Sequence, residues 1–411
     1  MAKKEIKTFA DAVASINSAN KKWNILAFGD PSKNLRRLPM FQLPIDLTTL
    51  GGLPYGQLIT VAGVEHSGKS SFAAAMMARY QQENPDKTCV WIDAENTLLT
   101  QGAYFHSDYG LSYEEGKFLR YDTTGKAAEE IFQDIILLQS FPEIGMIVLD
   151  SSKALISMAD LDNEFVKDNG QRASTAKAIG KFTKMMLQYL PKQNNILLVI
   201  NQVTIKEEMF STSYVESGGY ALKYFPSVKI RFATRTFLTG TASTELSASK
   251  AQAKDNANKV DGMRFHYVVV KNRLNRMINA GGFITVRFGK GIDRVGDFLD
   301  VADTVGVIGH PSAKLINLYN PTTGEVYQDQ ETGKELTMMP SAMRDYLEIH
   351  TDFFEKYYME VLNYLCDTKK KVDLIDEKII EEMEAQEAAI MKDIPTEAAA
   401  LAADGVDSYD E

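Results

Sequence analysis

The stretch Gln57-Leu-Ile-Thr-Val-Ala-Gly-Val-Glu-His-Ser-Gly-Lys-Ser70 decides the fold class of this chain. An apolar, β-prone run leads into a loop that matches the phosphate-binding pattern G-x-x-x-x-G-K-[ST] at every position. A helical segment follows at once, over residues 71–82. Glycines let the loop backbone point successive N–H groups at phosphate oxygens, and the helix adds its positive N-terminal end. The stretch therefore predicts a nucleoside-triphosphate site between a strand and a helix.

The loop side chains are candidates for holding the nucleotide and its metal ion. Lys69 can reach the β- and γ-phosphates, and the Ser70 hydroxyl can bind Mg²⁺. We expect ATP and Mg²⁺ as cofactors. The residues that we assign to the nucleotide site in this stretch are Gly63, Val64, Glu65, His66, Ser67, Gly68, Lys69, Ser70 and Ser71.

Length and composition exclude several classes of protein. With 411 residues the chain can form one large α/β domain with smaller appendages. No apolar run approaches the roughly 20 residues that span a bilayer, and the N-terminus lacks a signal-peptide core, so we expect no membrane partner and a cytoplasmic location. Cys89 and Cys366 give no disulfide framework, and neither the cysteines nor the histidines have metal-ligand spacing.

The net charge of −10 is concentrated at the C-terminal end of the chain. Residues 376–411 hold twelve acidic side chains and two lysines, which is a net charge of −10 for that segment alone. The rest of the chain is therefore neutral. Such a tail can serve solubility alone, or it can act as a tethered polyanion that competes with DNA for a basic groove.

Apolar strand-like runs alternate with helical stretches from Leu58 onward, which indicates an α/β fold with a mostly parallel sheet between helices. We expect late antiparallel strands, because the last three runs leave no room for long helices between them. Residues 239–262 predict a mobile loop or an extended hairpin tip, and 342–366 predict a helix. The predicted strands are 58–62, 88–93, 144–149, 194–200, 227–233, 265–271 and 282–288.

The chain divides into four predicted parts. These are an N-terminal oligomerisation helix and linker over 1–45, an ATPase core over 46–305, a small C-terminal domain over 306–367, and an acidic tail over 368–411. The helix has Ile6, Phe9 and Val13 at helical spacing. Its apolar face can pack on a neighbouring copy or on its own core, and the pattern fits both.

Three strands after the phosphate loop end in polar side chains that suit the chemistry of hydrolysis. Glu95 follows the strand 88–93 and is our candidate to activate a water molecule; the alternative is a helix-capping role. Asp150 ends the strand 144–149 and can hold Mg²⁺ through its waters. Gln202 follows 194–200 and can hydrogen-bond a γ-phosphate. These side chains are expected at one edge of the sheet.

The segment after Gln202 is polar and is expected to be flexible, with Met209 and Phe210 embedded in it and Gly218-Gly219 behind it. Two apolar residues in such a loop can insert between stacked bases of a single DNA strand. They can equally pin the loop to the protein core.

The ordered motifs resemble the RecA family of strand-exchange ATPases. The motifs that carry the resemblance are Gly63-x4-Gly68-Lys69-Ser70, Ile92-Asp93-Ala94-Glu95, Ile147-Val148-Leu149-Asp150-Ser151, Ile200-Asn201-Gln202, Met209-Phe210, Gly218-Gly219-Tyr220-Ala221-Leu222-Lys223-Tyr224 and Val270-Lys271-Asn272-Arg273. They extend over about residues 35–310. The chain length and Leu38-Pro39-Met40-Phe41 make it most similar to phage-encoded recombinases of the UvsX type.

The resemblance implies a RecA-like P-loop ATPase that forms helical filaments on single-stranded DNA and pairs it with homologous double-stranded DNA. It implies a single-strand-binding protein and a loader as partners, and the bacterial host cytoplasm as the location if a phage encodes the chain. The implied catalytic residues are Glu95, Lys69, Gln202, Lys271 and Arg273, the last two reaching a neighbour's ATP.

The resemblance also implies base and DNA contacts. Tyr104 is the candidate to stack on adenine, two residues later than the family pattern places it. Residues 152–172 and 203–217 are implied to be the first and second DNA-binding loops. The DNA-binding candidates are Arg172, Lys177, Lys206, Met209, Phe210, Gly218 and Gly219.

Two other classes of protein share these motifs in part. A hexameric helicase on the same fold should carry an added N-terminal domain, whereas only residues 1–62 precede the phosphate loop here. A signalling ATPase would need neither the Met209-Phe210 segment nor the acidic tail.

Overall fold

The structure is a computed structural model, and it describes residues 35–161, 171–208, 211–216, 219–239, 244–246, 260–274, 280–329 and 331–368. The predicted N-terminal helix lies outside the described residues, as do Met209, Phe210, Gly218, residues 162–170 and the tail 369–411.

Strands and helices alternate through the first half of the chain. The strands are β1 (Arg37–Leu38), β2 (Leu53–Pro54), β3 (Leu58–Gly63), β4 (Thr88–Asp93), β5 (Phe118–Asp122), β6 (Ile144–Asp150), β7 (Leu197–Glu208), β8 (Ser211–Glu216), β9 (Val228–Thr239), β10 (Thr244–Leu246), β11 (Val260–Asn272), β12 (Ala280–Arg287), β13 (Gly291–Ile292), β14 (Ile308–Ser312), β15 (Leu315–Leu318) and β16 (Thr337–Met338). The helices are α1 (Leu43–Thr48), α2 (Lys69–Glu83), α3 (Thr97–Tyr109), α4 (Ala128–Leu138), α5 (Met158–Leu161), α6 (Gln171–Gln193), α7 (Gly219–Tyr224), α8 (Arg294–Thr304), α9 (Pro340–Ile349) and α10 (Thr351–Thr368).

One large sheet forms the centre of the molecule. Its strand order is β13-β12-β11-β9-β3-β7-β6-β4-β5, with β10 paired to β9 and β8 paired to β7. The pairs among β9, β3, β7, β6, β4 and β5 in this order are parallel, whereas β9, β11, β12 and β13 pair antiparallel. This arrangement confirms the predicted α/β class and the predicted antiparallel strands late in the sequence.

Apolar side chains cover both faces of the parallel half, because buried parallel strands are apolar throughout. On one face, Trp91 and Phe72 belong to a core that includes residues of α2 and α3, and the Phe72 and Phe232 rings lie 5.4 Å apart. On the other face, Phe132 of α4 stacks on Phe182 of α6, with ring centroids 4.2 Å apart. The sheet is thus held between helices.

The expectation of a loop after Gln202 is wrong for its described part. Strand β7 continues to Glu208 and pairs antiparallel with β8, in a register that joins Val203 to Glu216 and Glu208 to Ser211. The alternation of Thr, Ile, Tyr and Val in this segment favours strands over an irregular loop. The strand that ends at the nucleotide site therefore continues into a hairpin.

The predicted helix over 342–366 is two helices in the structure. Helix α9 ends at Ile349 and α10 begins at Thr351, with His350 between them outside helical geometry. Thr351 and Asp352 are typical of a helix start, which explains the interruption.

The small sheet β14-β15-β16 and helices α9 and α10 lie over a second apolar cluster. Phe298 of α8 contacts Phe354 and Tyr357 of α10 edge-on, at 5.5 and 5.7 Å. The boundaries that we predict for the four parts of the chain stay predictions. Within the described part of the chain, no helix is long and apolar enough to cross a membrane.

Candidate nucleotide site

The parallel register brings the predicted site residues to one edge of the sheet. Gly63 at the end of β3 lies beside Gln202 on β7, and Asp93 at the end of β4 lies beside Asp150 at the end of β6. Because parallel strands point their carboxyl ends the same way, the loop and the acidic side chains converge. The sequence predicted this convergence correctly.

Two glycines of the phosphate loop have no room for a side chain. A Cβ on Gly63 would lie 2.5 Å from the Phe232 carbonyl oxygen and 2.7 Å from the Ser67 Oγ. Gly68 has φ +92°, and a Cβ there would meet the Phe265 ring at 2.7 Å. The Ser67 hydroxyl donates to the Val64 carbonyl at 2.8 Å and closes the turn. The loop is a shaped backbone cradle followed directly by α2.

Lys69 is buried in this cradle, and its amine donates to the Val64 carbonyl at 2.5 Å. Burial lowers the pKa of Lys69, and the neighbouring carboxylates Glu95, Asp150 and Glu65 oppose that shift. Glu65 and His66 lie at the exposed tip of the loop. The loop therefore holds a cation that hydrogen-bonds a backbone carbonyl of the same loop, a contact that a phosphate oxygen can replace.

Asp150 is 1% exposed, and burial together with Glu95 raises its pKa to about 7. Neither of its carboxylate oxygens has a hydrogen-bond partner among the residues that the structure describes. The hydroxyls of Ser70 and Thr97 lie near Asp150 and oppose the rise in its pKa, but their distances and angles do not meet hydrogen-bond geometry. A buried carboxylate whose oxygens have no hydrogen-bond partner among the described residues, beside a serine hydroxyl and the phosphate loop, fits a Mg²⁺ ion.

Glu95 lies on the exposed turn between β4 and α3, and its Oε1 faces the next strands of the sheet. It accepts a hydrogen bond from the Gln202 amide at 3.0 Å and another from the Ser151 hydroxyl. The residue before α3 is Asn96, so Glu95 does not take the helix-capping position. The structure thus joins Glu95 and Gln202, which the sequence suggested only as separate candidates.

A comparison with models of protein families matches residues 7–293 to the RecA N-terminal domain, which is well over half of the chain. The chain belongs to the RecA family. It is similar to the protein RecA of Rickettsia bellii (strain RML369-C), with 26% identity over 305 residues, 74% of this chain and 81% of that protein. It is similar to the protein RecA of Listeria ivanovii, with 25% identity over 372 residues, 89% of this chain and 97% of that protein.

The two cations at the end of β11 in this RecA-family chain converge on one carbonyl oxygen. The Lys271 amine donates to the Tyr224 carbonyl at 2.6 Å, and the Arg273 guanidinium donates to the same oxygen. Burial and the neighbouring cations lower the pKa of Lys271. Tyr224 ends α7, so the pair neutralises the C-terminal end of that helix. The register places Lys271 beside Lys229 and so level with Thr60 near the start of β3, whereas Lys69 follows the end of that strand. This position is compatible with the predicted action on a neighbouring chain.

Tyr104 is half-buried on α3, where its hydroxyl lies 3.0 Å from that of Tyr109. The two rings meet edge-on at 5.4 Å, and Tyr104 packs against the main core. Its predicted contact with adenine stays a prediction.

The DNA-binding candidates are only partly described. Lys177 is exposed on α6. Arg172 lies near the start of the same helix, Lys206 lies on β7 and Gly219 begins α7. These residues lie on α6, β7 and α7, and their DNA contacts stay predictions.

Sequence reasoning missed Arg120 and Ser151. Ser151 directly follows the strand that carries Asp150, and its hydroxyl binds Glu95. Arg120 lies within β5, where its Nε donates to the buried Asp93 carboxylate at 2.8 Å. The sequence analysis did not predict β5, because its side chains lack an apolar run, and so it gave no signal for the position of Arg120.

Proposed function

We propose that this protein is an ATP-dependent DNA strand-exchange recombinase that assembles as a helical filament on single-stranded DNA and pairs it with homologous duplex. The observation that carries the proposal is the hydrogen bond between the Gln202 amide and Glu95. Gln202 lies on β7, and the same strand continues into the hairpin that we predict to contact DNA. The similarity to RecA proteins along most of the chain supports the same function.

The loop residues bind the triphosphate in this proposal. Backbone N–H groups of 63–70 surround the phosphates, and Lys69 exchanges its contact with the Val64 carbonyl for a phosphate oxygen. Ser70 and Asp150 would hold Mg²⁺, which when bound neutralises charge on the phosphate oxygens. The partnerless oxygens of Asp150 support this assignment.

Glu95 acts on the attacking water in this proposal. One of its carboxylate oxygens is fixed by Gln202 and Ser151, which leaves the other free to accept a hydrogen bond from water. When a γ-phosphate draws the Gln202 amide toward itself, Glu95 gives up one donor and becomes a stronger base. The sensor and the base are therefore coupled through one hydrogen bond.

Lys271 and Arg273 would complete the site of an adjacent chain. In the single chain both are occupied with the Tyr224 carbonyl. Assembly would redirect them to a neighbour's phosphates, as an arginine finger acts in trans. We further propose a single-strand-binding protein and a loader as partners, and a relationship to the UvsX-type recombinases of phages.

The test is steady-state ATP hydrolysis with and without single-stranded DNA, over a range of protein concentrations. We expect stimulation by the DNA that rises cooperatively with protein, and filaments in negative-stain images. Glu95→Gln should retain ATP binding and filament assembly while hydrolysis falls about 10²- to 10⁴-fold, the usual contribution of a positioned base. Hydrolysis that ignores DNA, or rings in place of filaments, would refute the recombinase assignment.

A further inference from the structure

We propose that Arg120 is a positioning residue that anchors the turn carrying Glu95, through the buried carboxylate of Asp93 and the side-chain amide of Asn96. The inference rests on the proposed role of Glu95 in ATP hydrolysis. Arg120 lies on β5, at the edge of the sheet. Strands β4, β6 and β7 separate β5 from β3, which leads into the phosphate loop, so Arg120 is not placed to contact the phosphates.

The guanidinium of Arg120 joins two points of the turn. Its Nε donates to the Asp93 Oδ2 at 2.8 Å, and one terminal nitrogen donates to the Asn96 Oδ1 at 3.3 Å. The other terminal nitrogen lies 3.6 Å from the carboxylate of Asp122. The side chain of Arg120 is 27% exposed and that of Asp93 is fully buried. One planar group therefore bridges both residues that flank Ala94 and Glu95.

Arg120 contacts the turn from the side of β5, where the Asp93 carboxylate also accepts a hydrogen bond from the Leu98 N–H at 3.4 Å. The N–H groups of Ala94 and Glu95 donate to the Asp150 carbonyl on the neighbouring strand, at 2.8 and 3.2 Å. Asn96 adopts a left-handed conformation with φ +57°, which is sparsely populated for a residue with a side chain. Held by β6 on one side and Arg120 on the other, the turn keeps Glu95 directed at Gln202.

A lysine could not reproduce this arrangement. Its single ammonium group can pair with Asp93, but it lacks the rigid fork that reaches the Asn96 amide at the same time. The structure therefore predicts a graded response to substitution, in which charge alone restores only part of the function.

The test measures ATP hydrolysis by the full-length chain at saturating single-stranded DNA. Arg120→Met should lower kcat about 10- to 100-fold, the range that a displacement of about 1 Å costs, with KM for ATP within about 2-fold of wild type. Arg120→Lys should recover part of the loss. Asn96→Gly suits the left-handed backbone conformation and removes only the Asn96 oxygen that accepts from Arg120. It should lower kcat by a smaller factor than Arg120→Met.

The matched control is Arg344→Met. The Arg344 side chain is 25% exposed and pairs at 2.8 Å with Asp293, whose side chain is 4% exposed, so its environment resembles that of Arg120. It lies on α9, away from the sheet edge that carries Glu95. Arg344→Met should leave kcat unchanged, even if it lowers stability as much as Arg120→Met does.

A double-mutant cycle separates positioning from general damage. In a Glu95→Gln background, Arg120→Met and Asn96→Gly should cause no further loss of kcat, because the group that they position is gone. Additive losses, or a control that loses as much activity as Arg120→Met, would overturn the inference while leaving Glu95 in its role. If Glu95→Gln alone hydrolyses ATP at the wild-type rate, the proposed function of Glu95 falls, and the inference falls with it.

Discussion

Asp46 is a buried acid whose replacement should change the pH dependence of stability by a predictable amount. It is fully buried on α1 and accepts hydrogen bonds from the Met40 and Phe41 N–H groups and, at 2.6 Å, from the Tyr358 hydroxyl. Burial raises its pKa from 3.8 to about 7, although these donors oppose the shift. The folded protein therefore favours the protonated acid, and stability is lost as pH rises from about 4 through 7.

Asp46→Asn removes this titration. At 1.36 kcal/mol per pKa unit, the wild-type carboxyl costs the folded state about 4 kcal/mol at pH 8 and about 2 kcal/mol at pH 5. Asparagine loses one acceptor, at a cost of about 1–3 kcal/mol at either pH. Because this cost is common to both conditions, the variant should gain roughly 2–3 kcal/mol relative to wild type between pH 5 and pH 8.

Urea unfolding at pH 5 and pH 8 measures this difference directly. Asp329→Asn is the matched control. Thr332 hydrogen bonds lower the pKa of Asp329 at the surface, so it is ionised in both conditions and the control should leave the difference near zero. An Asp46→Asn variant whose stability relative to wild type is the same at the two pH values would refute the reasoning.

Three further predictions concern the phosphate loop, the paired cations and the tail. Gly63→Ala should lose nucleotide binding and about 1–3 kcal/mol of stability, because its Cβ would meet the Phe232 carbonyl; Gly180→Ala on α6, with only ordinary contact to Ala221, should gain about 0.4–1 kcal/mol. Calorimetric titration with ATP and urea unfolding check both. Arg273→Ala should abolish the stimulation of ATPase activity by DNA and leave the unfolding midpoint of the single chain nearly unchanged; stimulation at the wild-type level would contradict the action in trans. Removal of 376–411 should raise affinity for double-stranded DNA and weaken its salt dependence in anisotropy titrations, and indifference to the tail would assign it to solubility.

The sequence predicted β3, β4, β6, β7 and β9 of the parallel sheet because their apolar runs end in polar residues. It missed β5, which pairs parallel with β4 but has partly exposed side chains and no apolar run. It also predicted the convergence of Gly63, Asp150 and Gln202, since parallel strands must end at one edge. It erred over 203–208 and 211–216, where polar segments that were expected as a loop form two paired strands. Alternation of side chains was the signal for strands, and polarity alone suggested a loop.

Several contacts at the site depend on the register of neighbouring strands, which no local sequence pattern specifies. Trp91 pairs with Arg120 across β4 and β5, and only this register lets the guanidinium reach Asp93. Likewise the pKa of Asp150 is raised because the folded sheet buries this carboxylate and brings Glu95 close to it. No local sequence pattern reveals this burial. The split at His350 was visible in Thr351 and Asp352, which mark a helix start.

The continuity of β7 has a mechanical consequence. Gln202 lies level with the phosphate loop, and six residues of the same strand extend beyond it to Glu208, which is roughly 20 Å of paired backbone. The paired strand joins the position of Glu208 to the orientation of Gln202. A rotation of the strand by a few degrees at Gln202 corresponds to a displacement of about an ångström at Glu208. Movement at the outer end of β7 can therefore reach the hydrogen bond between Gln202 and Glu95 along one continuous strand.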